Sequence, residues 1–149
     1  VIWGLDLSLR HTGLVILNEE GAPIDAITII PHKDSRGPKR WHEVVSQVAD
    51  VLEKRRPRLV VIEGLGFRSH TLAMSAELSG IIRYFFFLQN IPYKLVAPTK
   101  LKSLIASKGN AKKEEMIAAI KKTYGYTFKD DHQADAFALA ILAFENRID

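Results

Sequence analysis

The chain has 149 residues, 47% of them apolar, no cysteine, and a formal net charge of +4. That length is most simply one domain, residues 1–149, with enough apolar side chains for a full core. The missing thiols exclude a disulfide framework, a cysteine nucleophile and a thiolate metal site, so any metal falls to Asp, Glu and His, a set that favours hard ions such as Mg²⁺ or Mn²⁺.

The first residues are strand-like and carry no basic leader, so no signal peptide is expected. The longest apolar run, residues 81–88, is broken by Arg83 and is too short to cross a membrane. These features fit a cytoplasmic protein, in a bacterial cell or in a host cell if the source is viral.

Residues 2–7 read as a buried strand that reaches Asp6 at its end. Residues 13–17 read as its antiparallel partner, with a short polar connection over 8–12. Residues 18–23 form the next turn, where Gly21 is the expected positive-φ residue. Residues 24–30 give a third strand, so the sheet opens as an antiparallel meander. A polar loop is expected over 31–40. From Trp41 the period changes: Trp41, Val44, Val45, Val48 and Leu52 share one face of an amphipathic helix, which Pro57 ends.

Residues 59–62 are a short, wholly apolar run, as expected of a central strand covered on both faces. It ends at Glu63, and Gly64 and Gly66 follow. The opening pattern therefore recurs: apolar strand, then carboxylate, then a polar or glycine-rich loop. Residues 71–89 form a long helix that is apolar on more than one face, so either the core takes both faces or a second copy of the chain covers the outer one. Residues 93–96 are a strand, and 98–105 a short helix with Pro98 near its first turn. Gly109 and Asn110 break that helix, and 111–123 form another. Asp130 and Asp131 open the last helix, with Asp favoured at the positive helix end. Its buried stripe is Ala134, Phe137, Ala138, Ile141 and Leu142, and His132 and Asp135 share a face.

Between Lys94 and Lys122 the basic residues are Lys94, Lys100, Lys102, Lys108, Lys112, Lys113, Lys121 and Lys122, opposed only by Glu114 and Glu115. Alone, such a block is most simply a solvated lysine surface. Beside clustered carboxylates it suits an enzyme acting on a polyphosphate. Each acid also has a plain structural use: Asp6 as a turn former, Glu63 paired with Arg58 or Arg68, and Asp131, His132 and Asp135 as ordinary helix-start or surface residues. The repeated order of strand-Asp, strand-Glu and helix-Asp weighs against all of these together. If the first and fourth strands are neighbours, Asp6 and Glu63 share one sheet edge, and a helix across that edge brings His132 and Asp135 opposite. Clustered carboxylates repel unless cations intervene.

The motifs G-L-D-L-S-x-x-x-T-G from Gly4, V-V-I-E-G from Val60 and H-Q-A-D-A-F-A-L-A from His132 resemble the RNase H-like nuclease superfamily. Within it, the chain resembles the RuvC-type Holliday junction resolvases. The resemblance covers nearly the whole chain, including the basic stretch from Pro98 to Met116. It implies an α/β RNase H-like fold with a mixed five-stranded sheet, in which the meander is antiparallel and strands four and five are parallel, flanked by helices. It implies a structure-selective DNA endonuclease that resolves four-way junctions by metal-dependent hydrolysis, leaving 5′-phosphate and 3′-hydroxyl ends.

Carried over residue by residue, Asp6, Glu63 and Asp135 match the family's carboxylates, and His132 the ligand three residues before the last. Asp131 stays an alternative to His132. The implied cofactor is Mg²⁺, or Mn²⁺, with one or two ions per subunit on Asp6, Glu63, His132 and Asp135. Phe67 and Arg68 fall in the family's junction-facing loop. Lys102 and Lys113 match its phosphate-contacting lysines, with Lys100, Lys108 and Lys112 in support. Ser8, Arg10 and Thr12 lie beside Asp6 as candidates for touching the scissile backbone. The helix over 71–89 resembles the family's dimerising element, so the implied partners are branched DNA and a second copy of the chain. A broader branched-DNA or RNA–DNA hybrid nuclease on the same fold, and a non-catalytic junction-binding protein, are the alternatives.

Overall fold

A computed structural model describes residues 1–65 and 71–149. Strand β1 (Ile2–Asp6) lies between β2 (Thr12–Leu17) and β4 (Leu59–Glu63). Strand β3 (Pro23–Ile29) forms one sheet edge and β5 (Tyr93–Val96) the other, giving a five-stranded sheet in the order β3-β2-β1-β4-β5. The first three strands pair antiparallel, and β1–β4 and β4–β5 pair parallel. This is the mixed sheet expected from the sequence.

Alternation along the central strands feeds two separate cores. Trp3, Leu5, Leu14, Ile16, Val60 and Ile62 pack toward helices α1 (Gly37–Lys54) and α2 (Leu72–Leu88). Ile2, Val15, Leu17 and Val61 pack on the opposite face. There they meet α3 (Pro98–Ala106), α4 (Lys113–Tyr124) and, above all, α5 (Asp131–Phe144). Among the described residues, no helix is long and apolar enough to cross a membrane.

The main differences from the sequence reading are helix boundaries. Helix α1 begins at Gly37 rather than Trp41, because Pro38 is tolerated in a first turn, where its missing N–H has no intrahelical use. The loop expected over 31–40 is correspondingly shorter. Helix α3 ends at Ala106, one residue past the expected 105, and a left-handed Ser107 with φ of 64° stops it ahead of Gly109. Helix α4 starts at Lys113 rather than Ala111, and the Lys112 amide donates to Glu115 Oε1 at 3.2 Å. Gly21 does take positive φ, at 81°.

Helix α5 lies unusually close to the sheet. A Cβ built on Gly4 would stand 1.7 Å from the Ala136 carbonyl oxygen, and one built on Gly13 would stand 2.1 Å from that of His132. Both obstructions are helix backbone, which cannot rotate aside. Ala136 and Ala140 supply the α5 backbone that faces Gly4. Gly4→Ala is therefore expected to destabilise the chain by about 3 kcal/mol or more through overpacking, or to prevent folding. Urea denaturation measures this, and a change below about 0.5 kcal/mol, the range of surface substitutions, would show that α5 has room to lift.

Candidate active site

Parallel pairing of β1 with β4 runs through Leu5 opposite Ile62, so the next step along the two strands sets Asp6 beside Glu63 at one edge. On the other side of β1, Asp6 pairs with Gly13. Since the His132 backbone fills the space a side chain at 13 would need, α5 enters directly over Asp6. His132 Nδ1 lies 3.3 Å from Asp6 Oδ2.

The start of α5 is fixed from β3 as well. Asp130 caps the helix, its Oδ1 accepting from the Gln133 amide at 2.8 Å. Its Oδ2 accepts from Thr28 Oγ1 at 2.6 Å, and Gln133 Nε2 donates to the same hydroxyl oxygen at 3.0 Å. Burial pushes the Asp130 carboxyl up, but the bonds from Thr28 and Gln133 outweigh it and hold the group below the usual range. Asp130 is thus an ionised cap, and the site residues follow it on a fixed helix.

Positive charge is scarce at this edge. Burial pushes Glu63 up to about 8, with the Asp6 and Asp135 charges adding to it. Burial pushes Asp135 up to about 7, helped by the charges of Asp6 and Asp131. Asp6 is also raised, chiefly by burial, although its contact with His132 pulls the other way. The same hydrogen bond raises the imidazole. Among the described residues, the charges of Lys102 and His132 pull Glu63 and Asp135 the other way.

Asp131 is engaged elsewhere. It lies 3.4 Å from Lys113 Nζ and 4.0 Å from His132 Nε2. Of the two alternatives at the helix start, His132 is the one in contact with Asp6. Among the described residues, no three His, Asp or Glu side chains are arranged to hold a metal ion as they stand. The expected ligand set is therefore gathered at one edge without being closed into a cage, and repulsion among buried carboxylates opposes closing it. Its chemistry, carboxylate oxygens with one imidazole, fits a hard divalent cation.

A model of the family described as crossover junction endodeoxyribonuclease RuvC matches residues 2–143. The chain belongs to the RuvC family. The protein of that name from Prochlorococcus marinus subsp. pastoris is 29% identical over 94% of this chain and 93% of its own length. The RuvC structure from Thermus thermophilus matches with a TM-score of 0.78 and 25% identity, covering 98% of this chain and 95% of that one. A T. thermophilus RuvC structure in complex with Holliday junction substrate has the same fold, with a TM-score of 0.80 at 24% identity, covering 98% and 94% of the two chains. The chain is accordingly a member of a nuclease family with the RNase H-like fold.

The basic residues divide into distinct groups around this RuvC-type edge. Lys102, Lys112 and Lys113 line a cleft of about 430 Å³ that also borders Glu63, Asp131 and Asp135. Lys108 is instead paired with Glu115. Lys100 is exposed on α3 and is not among the residues lining that cleft. On the opposite side of Glu63, Ser8 and Arg10 line a second cavity. Ser8 Oγ also accepts from the Arg10 and His11 amides at 3.5 and 3.4 Å, which shapes the β1–β2 turn.

Thr12 is fully buried, and its hydroxyl donates to the Ser8 carbonyl at 3.3 Å, so it braces the turn. Phe67 and Arg68 lie outside the described residues. His11, not singled out from sequence, stacks on His132 with ring centroids 5.3 Å apart and planes 7° from parallel. A histidine in a polar turn has no sequence signal for such a contact, which exists because α5 descends at Gly13.

The electrostatics predict an inverted stability profile for the cation-free protein. Glu63 takes up its proton more readily folded than unfolded, so the folded state binds more protons between the ordinary carboxylate range and about pH 8, and stability falls as pH rises through that window. Replacing Glu63 with Gln removes the penalty. In chelator at pH 9, Glu63→Gln is expected to melt about 5 °C above the unsubstituted protein, from one to two kcal/mol relieved, with the gap narrowing toward pH 6. Calorimetry at the two pH values checks this, and a gap that widens on acidification contradicts the assignment.

Proposed function

We infer that this chain, as one nuclease domain, is a structure-selective endonuclease that hydrolyses phosphodiesters in four-way DNA junctions. The observation that carries the reading is the convergence of Asp6, Glu63, Asp135 and His132 at one sheet edge. That edge has a lysine-lined cleft on one side. Membership of the RuvC family and the fold shared with a junction-bound relative support the choice of substrate.

Asp6, Glu63, Asp135 and His132 are the residues that would hold a divalent cation, Mg²⁺ or Mn²⁺, with one or two per subunit. When bound, the cation supplies Lewis acidity, lowering the pKa of water and offsetting negative charge as the phosphodiester is displaced. The side chains themselves do the rest. Asp6 holds the His132 ring through Nδ1, which leaves Nε2 for one of two roles, ligand to the cation or carrier of a proton. Lys102, Lys112 and Lys113 set the backbone along the cleft, and the resulting binding weakens with salt as counterions return. Hydrolysis by this route leaves a 5′-phosphate and a 3′-hydroxyl.

Two copies of the chain would place one such site on each of two strands. Helix α2 supports this assembly: Leu78, Ile82 and Phe86 are buried in the core, while Met74, Tyr84, Phe87 and Leu88 remain exposed. Tyr84 and Phe87 stack on that outer face, with centroids 6.4 Å apart. An apolar face of this kind favours a protein contact over open solvent. The reading places the enzyme in the cytoplasm, where the DNA is.

Asp6→Asn is expected to slow cleavage of a labelled four-way junction by about 10³-fold or more while leaving binding intact. Unimpaired cleavage in Mg²⁺ would remove Asp6 from the reaction. His132→Ala should lower the rate at least about tenfold more than Asp131→Ala, as a lost proton-transfer group would, and the reverse order would exchange their roles. Parallel assays on a Y-fork and an RNA–DNA hybrid separate this activity from a broader nuclease. Sedimentation at micromolar concentration should give a two-chain species, and a strictly monomeric one would contradict assembly through α2.

A further inference from the structure

A cavity of about 490 Å³ opens on the α1 and α2 side of Glu63, away from the lysine-lined cleft. Arg10, Arg36 and Arg40 line it together. Arg40 is only 4% exposed. Among the described residues, none of these arginines takes part in an ion pair.

Their hydrogen bonds go to backbone carbonyls. Lys33 O accepts from Arg10 Nη1 at 2.7 Å and from Arg36 Nη1 at 3.0 Å. Ser35 O accepts from Arg36 Nη1 at 2.9 Å and from Arg40 Nε and Nη2 at 3.2 and 3.0 Å. Among the described residues, Glu43 joins the network through Ser35 Oγ, which donates to its Oε1 at 2.9 Å, while its buried Oε2 has no hydrogen-bond partner. Neutral carbonyls orient guanidinium groups but do not neutralise them. Burying one cation beside two others is unfavourable unless an anion arrives. Burial, followed by the Arg10 and Arg36 charges, already presses the Arg40 guanidinium toward losing its proton. The planar forks match the oxygens of a phosphate.

We propose that the cavity walled by Arg10, Arg36 and Arg40 is a second backbone-phosphate subsite, taking a neighbouring phosphate of the strand whose scissile linkage lies at Asp6 and Glu63. It rests on the reading of this edge as a DNA-cleaving site. The strand then runs over Glu63 between two cationic walls, lysine on one side and arginine on the other. The competing role for Arg40 is purely structural, a clip that holds residues 31–36 against α1.

Single methylphosphonate linkages separate the two roles, because each removes one phosphate charge without touching the protein. A four-way junction carries one at a time, at each of the three linkages on either side of the cut, and binding is measured without divalent cation. For the unsubstituted protein, one position should weaken binding about tenfold, the scale of a charge-assisted hydrogen bond. Arg36→Gln and Arg40→Gln should each weaken binding to the unmodified junction by a similar factor, and at that same position the methylphosphonate should then add little. Arg36 is exposed, so its variant remains informative if Arg40→Gln fails to fold, and Arg40→Lys should restore part of the coupling. A clip role predicts losses that multiply at every linkage, and that result would overturn the subsite. If the variants bind like the unsubstituted protein, the subsite alone falls. If the unsubstituted protein binds the junction with the expected coupling but does not cut it in Mg²⁺ or Mn²⁺, the nuclease reading falls and the phosphate subsite stands.

Discussion

The site depends on how closely α5 approaches the sheet. Gly13 is the residue opposite Asp6 in the β1–β2 ladder, and the His132 carbonyl occupies the space its side chain would take. Gly4 does the same for Ala136, one helical turn further on. Two backbone contacts therefore set both the height and the rotation of the helix. With these fixed, His132 meets Asp6, and Asp135 faces the β1–β4 edge closely enough for its charge to raise Glu63. The polar clamp of Asp130, Thr28 and Gln133 holds the same helix end from β3. A catalytic cluster assembled from two strands and a helix needs this kind of rigid support, because small displacements of such groups weaken their combined action.

The charges around the cluster follow a spatial order that their sequence positions conceal. Four acids, Asp6, Glu63, Asp131 and Asp135, act on one another at one edge. Among the described residues, direct cationic contact inside that group is His132 at Asp6, with Lys113 at Asp131 on its margin. The lysines and arginines lie beyond, in separate cavities that share Glu63 as a border. Negative potential is thus concentrated where a cation belongs, and positive potential flanks it where a polyanion would run. The two regions meet where Lys113 lies 3.4 Å from Asp131. Lys108 is instead bonded to Glu115, which satisfies both groups and leaves less for a ligand.

Much of this was legible in the sequence because it lies in pattern. Apolar runs ending at Asp6 and Glu63 marked strand ends, and the polar start of a small-residue helix marked His132 and Asp135. Patterning does not carry distance. Gly4 and Gly13 sit inside ordinary strand sequences, and nothing local shows that helix backbone fills their missing side chains. Thr12 read as polar and near the acid, yet its hydroxyl is consumed by the Ser8 carbonyl within a buried turn. Arg40 read as the end of a polar loop, whereas it lies inside α1 and is buried against residues 31–36. In each case the sequence identified the residue's chemistry, and long-range packing determined what that chemistry meets.

The presence of an imidazole at 132 follows from the same accounting. The edge already gathers Asp6, Glu63, Asp131 and Asp135, and burial with mutual repulsion holds Glu63 near 8 and Asp135 near 7. Another carboxylate against Asp6 would add a negative charge where those acids already resist ionisation. Histidine adds a ligand-capable nitrogen without that charge, and its proton is stabilised by Asp6. The exposed His11 ring stacked on it adds contact from the solvent side without adding an acid. The result is a cluster that combines raised carboxyls with one imidazole, held in place by the helix approach that Gly13 permits. The geometry of α5 and the electrostatics of the site are therefore one constraint: a bulkier residue at 13 would displace both the backbone of His132 and the group that moderates Asp6.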